Sequence, residues 1–555
     1  MLASRKIFAA GVLAVVMAAA VDGAQDRGRK FYDDDPIARE PETRDASKVT
    51  EREIALSYDL AENLFTTPGD RRKIRALNVN TIDEVPDSSW FTNRILARPL
   101  SIDEALRGPV TGPGPAPGPM TVTRAKPSGA SAGFILRDSA GETWFAQFDA
   151  NGHDEAATGA AMVANKIFHA LGYWQVENQL SELRLEGLSI GPKAVTETPS
   201  GKIRQLDHDD LNKLLARAAR RPNGTYRMLA SRGLPNFRGR FRYYGTRGDD
   251  PNDIVPHEHR RELRALKVFG AWTNLVDMKA KNTLDALVTE NGRTVVRHYL
   301  QDVGSTFGTG ALGPREWDEG HELLFESGTT WKRLASLGFY RRSWQTMPYT
   351  EYRSIGRFEG DQFDPTTWVP RVPTAAMLNA RADDAFWAAR RVVAFSDAMI
   401  RALVKAGGYS DPAAETHLAD VLIKRRDKIG RAYLPAINPV VDPALDESGV
   451  LRFGNAAVAA GVATAPKGGY RAAWFRFDNR SGTAEAIGVS STASALQMAA
   501  PSVIPTAPGS FMRVDISAID PPHPSWNQPV RVYFRRIASA WQLVGIERLP
   551  EGIQP

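Results

Sequence analysis

The chain has 555 residues, 43% of them hydrophobic and 24% charged, with 70 basic and 64 acidic side chains, a formal net charge of +6 and no cysteine. That length supports two to four domains, each with its own core. The lack of cysteine excludes a disulfide scaffold, a lipid-modified lipoprotein and any cysteine-ligated metal. Basic residues fall in short clusters such as Arg217, Arg220 and Arg221, or Lys424 to Arg426. These read as solvated faces and not as the concentrated stripe that nucleic acid requires, so no nucleic-acid partner is expected.

Arg5 and Lys6 precede an apolar run from Ile7 to Ala20 that ends in small residues, the three-part pattern of a secretory signal peptide. The run is about 14 residues, short of the roughly 20 that cross a bilayer. Residues 1–24 are therefore expected to be removed on export. The mature chain is expected in the periplasm or medium, with no transmembrane span.

Residues 25–106 are polar at first, then carry one helical stretch, Val49 to Leu64, and the aromatic segment Pro86 to Arg94. They read as an extended arm that packs on the main body. Residues 107–119 are built around Gly108-Pro-Val-Thr-Gly-Pro-Gly-Pro-Ala-Pro-Gly-Pro119, which sustains neither helix nor ladder and reads as a linker. In the block 120–206, Gly133 to Arg137 and Thr143 to Phe148 flank the turn Asp138 to Gly141 and predict a hairpin. Asp154 then caps a predicted helix with apolar positions Ala157, Ala161, Ala164, Ile167, Phe168 and Leu171, stopped by Gly172. Gln179 to Leu188 reads as strand.

Helical patterns dominate 207–440, notably Glu258 to Val276, Ala382 to Ala406 and Ala413 to Tyr433, with a hairpin-like interruption from Leu284 to Asp302. From 450 to 555 the pattern changes to short alternating strands, such as Ala472 to Asp478, Phe511 to Ile516 and Val530 to Arg535, a sandwich-like β-domain. The fold class is thus α+β: a small β-rich lobe, a helical lobe and an appended all-β domain.

The chemistry concentrates where the two lobes meet. Asp277-Met-Lys279-Ala-Lys-Asn282 follows a predicted helix; a hairpin around Asn291-Gly292 comes next, then Asp302-Val-Gly304. Phosphoryl transfer by a kinase needs an Asp to orient the acceptor hydroxyl, an Asn five residues on to hold metal, and a later Asp before a glycine turn to bridge metal and phosphates. On these residues the chain resembles the protein-kinase-like superfamily, in particular the divergent HipA-like, CotH-like and secreted Golgi-type branches, over about residues 120–440.

The resemblance implies a bilobal kinase-like core that binds ATP with Mg2+ or Mn2+ and transfers phosphate to a protein or small-molecule acceptor. It implies Asp277 as catalytic Asp, Lys279 as its phosphate-facing neighbour, Asn282 and Asp302 as metal ligands, and Glu155 as the helix glutamate. Lys126 to Gly133, with Gly129 and Gly133, would be the glycine-rich loop over the nucleotide. The chain departs from the pattern at Gln147, which stands where the family carries the phosphate-pairing Lys; Lys126, in the glycine-rich segment, is the candidate substitute from the neighbouring strand. An atypical kinase and a pseudokinase are thus both expected outcomes, and the rival to either is a non-catalytic binding or scaffold protein whose β-domain does the work.

The whole chain is also similar to a family of exported bacterial proteins that share Asp-Pro-Asn-Asp at 250–253 and His-Glu-His-Arg-Arg at 257–261, a resemblance that names no activity. His257 and His259 lack metal-site spacing and read as structural. Gly304-Ser-Thr-Phe-Gly308 is not a nucleophile elbow, its serine being one place early. Trp90, Trp144 and Trp174 read as packing residues.

Overall fold

The computed structural model describes residues 28–125, 132–198, 202–315, 318–325, 327–337, 339–501 and 504–549. The signal-peptide segment 1–24 and, within the glycine-rich segment, Lys126 and Gly129 lie outside them. No helix among the described residues is long and apolar enough to cross a membrane. The chain forms two compact units, one of Arg39–Val79 with Val85–Leu434, the other of residues up to Ala38, Asn80–Glu84 and those from Pro435 onward.

The larger unit opens with helices α1 (Leu56–Phe65) and α2 (Ile102–Arg107). The helix expected from Val49 starts only at Leu56, because the chain before it is held extended: Arg52 pairs with Gly239, and the Thr50 amide donates to Asp249. The Pro/Gly stretch after α2 is irregular, as its composition dictates, yet it is tied to the sheet. The Ala116 amide donates to Asp138, and the carbonyls of Gly112 and Pro113 accept from Gln179 and Arg232.

Strands β1 (Met120–Ala125), β2 (Gly133–Arg137) and β3 (Thr143–Phe148) follow, then α3 (Ala156–Leu171), β4 (Asn178–Leu183), β5 (Leu188–Glu197), β6 (Ile203–Gln205), α4 (His208–Leu215) and β7 (Tyr226–Arg232). They build a seven-stranded sheet in the order β4-β7-β3-β2-β1-β5-β6. The hairpin is where the sequence places it: Asp138 Oδ1 accepts the amides of Ala140 and Glu142, and Gly141 takes φ 85°, the left-handed conformation glycine adopts freely. The sheet continues past residue 206, since β7 inserts between β3 and β4, and Leu211, Leu214 and Leu215 of α4 close the same core as Trp144 and Phe148.

Helix α3 is buried along its length, His169 excepted, which its alanine-rich sequence allows. Its N-cap is Glu155, at φ 69°, and not Asp154. Burial, aided by Arg94, Lys166 and Arg107, pushes the His169 imidazole down to about 3. An unfolded histidine titrates near 6.5, so below that pH the unfolded chain binds the extra proton and the fold loses stability as pH falls. We expect His169→Asn to lose about 1–2 kcal/mol less than wild type between pH 7 and pH 5. Urea melts at the two pH values test this, and parallel losses in both proteins would count against it.

The rest of the unit is β8 (Phe237–Gly239), α5 (Arg261–Thr273), the hairpin β9 (Thr283–Glu290) and β10 (Arg293–Leu300), α6 (Ser327–Ala335), α7 (Ala375–Leu378), α8 (Ala382–Val393), α9 (Asp397–Lys405) and α10 (Pro412–Tyr433). Strands β10, β9 and β8 form a second, three-stranded sheet. Asn291 and Gly292, both at positive φ, make the tight turn of its hairpin. The helix expected over 382–406 is two, because Ser396 accepts the Met399 amide and starts α9 anew.

The smaller unit is all β beyond short helical turns: β11 (Val440–Leu445), β12 (Val450–Asn455), β13 (Tyr470–Phe477), β14 (Ala484–Thr492), β15 (Gln497–Ala499), β16 (Phe511–Ala518), β17 (Val530–Ile537) and β18 (Ala540–Glu547). These make sheets β11-β12-β15 and β14-β13-β16-β17-β18. Along β16 every second residue is buried, the period-2 alternation read from the sequence. Strand β11 lies ahead of residue 450, where the alternating pattern is expected to begin. Phe31, near the start of the described chain, packs between Phe477, Phe511 and Tyr533.

Candidate functional site

A cavity of about 390 Å3 opens between the sheet of β1–β3 and the loops on either side of the β9–β10 hairpin. Along β3, Trp144, Ala146 and Phe148 are buried in the sheet's core and Phe145 and Gln147 alternate with them. Gln147 stands opposite Gly133 in the β2–β3 ladder, and both line the cavity. A Cβ at Gly133 would lie 2.6 Å from the Ala146 carbonyl oxygen, so only glycine fits this close approach. Gln147 is paired through its backbone with Gly133 and Leu229.

The facing wall holds Lys281, Asn282, Gln301, Asp302, Val303 and Gly304. The Asn282 carbonyl accepts the amides of Gln301 and Asp302 at 3.0 and 3.2 Å, binding the two loops together. The Asn282 side-chain Nδ2 donates to the Asp277 carbonyl at 2.7 Å. That leaves Oδ1 of Asn282, a residue 8% exposed, as its uncommitted oxygen. Asp302 Oδ1 accepts the Gly304 amide at 3.1 Å, which fixes the turn and leaves Oδ2 unpartnered among the described residues. Two hard oxygens in one cavity are the donor chemistry that Mg2+ or Mn2+ takes, with water or phosphate completing the shell.

Charge favours an anion. Arg124, Arg240 and Lys281 line the cavity against the one carboxylate Asp302. Arg240 is anchored by its Nε on the Lys281 carbonyl at 3.1 Å, and burial lowers its pKa. The sequence reading missed Arg240 and Lys281. Lys281 sits inside the Asp-x-Lys-x-x-Asn stretch and was legible there; Arg240 comes from the basic run 238–242, and only the fold brings it to the cleft.

The remaining site residues separate. Asp277 and Lys279 pair with each other at 2.7 Å, part exposed, and neither lines the cavity. Glu155 is also elsewhere: its carboxylate accepts the Ser410 amide and hydroxyl at 2.7 and 3.0 Å and lies 3.8 Å from Arg227. Its left-handed N-cap conformation turns it to the α9–α10 connection. Gln147 therefore leaves no buried carboxylate without a cation.

The other motifs are structural. His257 Nε2 meets Asp253 at 2.8 Å and its Nδ1 the Arg242 carbonyl, while His259 Nε2 lies 3.0 Å from Asp70. Burial works against the Asp253 charge, but His257 and Arg260 outweigh it and bring the carboxyl down to about 2. Trp90 and Trp144 are buried, and Trp174 is half-buried between Arg94 and Arg297.

No family model matches the chain, and no curated protein matches it. Among solved structures the chain is similar to the Golgi casein kinase, with a TM-score of 0.29, and to the Golgi casein kinase with Mn/ADP bound, with a TM-score of 0.28. Each match is 11% identical and covers 70% of this chain and 94% of that chain.

Proposed function

We propose that the larger unit is a divergent kinase-like core that binds a nucleotide or related phosphate ligand together with a divalent metal in the cavity between β1–β3 and the 277–304 loops. The observation that carries this reading is the pairing of Asn282 Oδ1 and Asp302 Oδ2 in one cationic cavity, each oriented by a hydrogen bond from the same loop pair. A metal held by these oxygens would neutralise phosphate charge. The chain's own part is to orient it, with Lys281 and Arg240 adding positive charge and Gly133 letting the backbone approach closely. Asp277, whose backbone carbonyl holds the Asn282 side chain, is the proposed group that orients an acceptor hydroxyl. The test is a thermal-shift titration of the mature chain with ATP in Mg2+, in Mn2+ and in EDTA. We expect stabilisation that needs the metal, and equal melting with and without it would remove the reading.

Gln147 favours a second reading, in which the core binds without transferring. An amide at the centre of the sheet wall offers hydrogen bonds but no charge to a triphosphate. Metal-dependent binding without ATP turnover or phosphate transfer would select it, leaving partner binding, by the β-unit among others, as the working activity.

We also propose that the chain is exported, on the pattern of Arg5, Lys6 and Ile7 to Ala20. Mass spectrometry of protein from the periplasm or medium should find the N-terminus between residues 21 and 25; material beginning at Met1 would contradict export by cleavage.

A further inference from the structure

A second and larger cavity, about 530 Å3, lies in the same unit, between the segment 315–368 and helix α10. Its distinguishing feature is Arg425. This residue is 5% exposed, its Nε donates to the Glu359 carbonyl at 2.7 Å and its Nη1 to the Ala271 carbonyl at 2.9 Å, and the guanidinium lies 4.2 and 4.1 Å from the rings of Phe358 and Phe363. No carboxylate lies within ion-pair distance of it among the described residues, the Glu359 charge acting only from farther off, and Nη2 is left over. A buried guanidinium without a counter-ion in contact is costly. Burial accordingly lowers Arg425 to about 9, and the neighbouring His321 is held at about 4 by burial and by Arg425 itself.

The rest of the lining completes a pattern. Arg315, Arg341, Arg342 and Arg357 join Arg425 against Glu319, Glu359 and Asp364, five cations to three anions. Glu319 is already engaged by Arg315 and Arg371 at 3.2 and 2.6 Å. Glu359 Oε2 accepts the Gln362 amide at 2.7 Å, while its Oε1 is buried with no partner. Trp344 and Trp368 supply apolar walls, with their indole nitrogens committed to Glu322 and Asn274. The cavity thus offers a cation with no carboxylate in contact and flat aromatic surface, in the size range of small-molecule sites.

We propose that this cavity binds a small anion carried on a hydroxylated frame, a phosphate or carboxylate whose charge meets Arg425 and whose frame rests on the aromatic walls of Trp344 and Trp368. The site is distinct from the β1–β3 cleft, though Arg315 Nη2 also donates to Ser305, the residue after Gly304, at 2.5 Å.

Calorimetric titration with glucose 6-phosphate, glucuronate, glucose and inorganic phosphate tests the proposal on the full mature chain. The two anionic sugars should bind and glucose should not, and inorganic phosphate should bind more weakly than glucose 6-phosphate. Arg425→Gln should weaken binding by about tenfold or more, the effect of losing a charge-assisted hydrogen bond. Because that variant removes a buried anchor, a second pair carries the test independently of folding. Gln362 is exposed at the cavity, so Gln362→Glu should weaken and Gln362→Lys strengthen anion binding, each by about threefold. Asp302→Ala should leave these affinities unchanged, which separates this site from the cleft. Failure of every anion to bind at about 10 mM, glucose binding as well as glucuronate, or indifference to both Gln362 variants would overturn it.

Discussion

Asp384→Ala is expected to lower the unfolding free energy by about 3–5 kcal/mol, the cost of leaving buried cations without their counter-charge. Asp384, fully buried at the first turn of α8, accepts from Arg261 Nε at 3.0 Å and Arg264 Nη1 at 3.3 Å, both on α5 and both fully buried. Its neighbour Asp383 lies 3.2 Å from Arg261. Burial pulls Asp384 up and Arg264 down, each toward its neutral form, and the ion pairs pull back. This network explains the His-Glu-His-Arg-Arg stretch at 257–261, which holds α5 against α8 and the segment 70–78. Asn78 bonds Glu262 at 2.5 Å and the Arg261 amide at 2.9 Å, and Glu258 accepts the Asp70 amide at 2.7 Å. Urea denaturation compares Asp384→Ala with Asp361→Ala, which breaks the exposed pair to Lys424 and should cost less than about 1 kcal/mol. Similar small losses in both would mean that the buried charges are dispensable.

Asp302→Ala should raise the dissociation constant for Mg-ATP by at least about 100-fold, since the side chain is one of two oxygens offered to the metal. Asp277→Ala should change it by less than about threefold and abolish any transfer, because a group that orients the acceptor acts in the transition state and not in ground-state binding. Its backbone carbonyl, the part that positions Asn282, survives the substitution. Isothermal titration with Mg-ATP and a radiolabelled transfer assay read the two effects separately. Loss of binding in both variants would make Asp277 a ligand or a structural residue, and unchanged binding in both would empty the cleft of its assigned role. Since Arg425 and Gln362 line the other cavity and not the cleft of Asn282 and Asp302, their anion-binding phenotype stands or falls apart from it.

The elements legible in the sequence were those set by local chemistry. The Asp138–Gly141 turn, the Asn291-Gly292 turn, the glycine stop of α3 and the alternation of β13 and β16 depend on a few adjacent residues, and they appear where those residues stand. Boundaries set by distant contacts were not legible. Residues 49–55 have helical periodicity but are drawn extended by Asp249 and Gly239, and β7 looks like part of a helical region until β3 and β4 pair with it.

The same division holds for the candidate site. Sequence alone determined that Asn282 and Asp302 flank a hairpin and so come together, because a hairpin returns its two ends to one place whatever surrounds it. Only the tertiary structure decided that Gln147 and Gly133 face them, that Arg240 joins them, and that Glu155 turns instead to Ser410 and Arg227. It also set Arg425 against the backbone carbonyls of Glu359 and Ala271 with no carboxylate in contact. These outcomes depend on which strand face and which helix end are buried, and that is fixed by packing between elements far apart in the chain, where a local pattern carries no information.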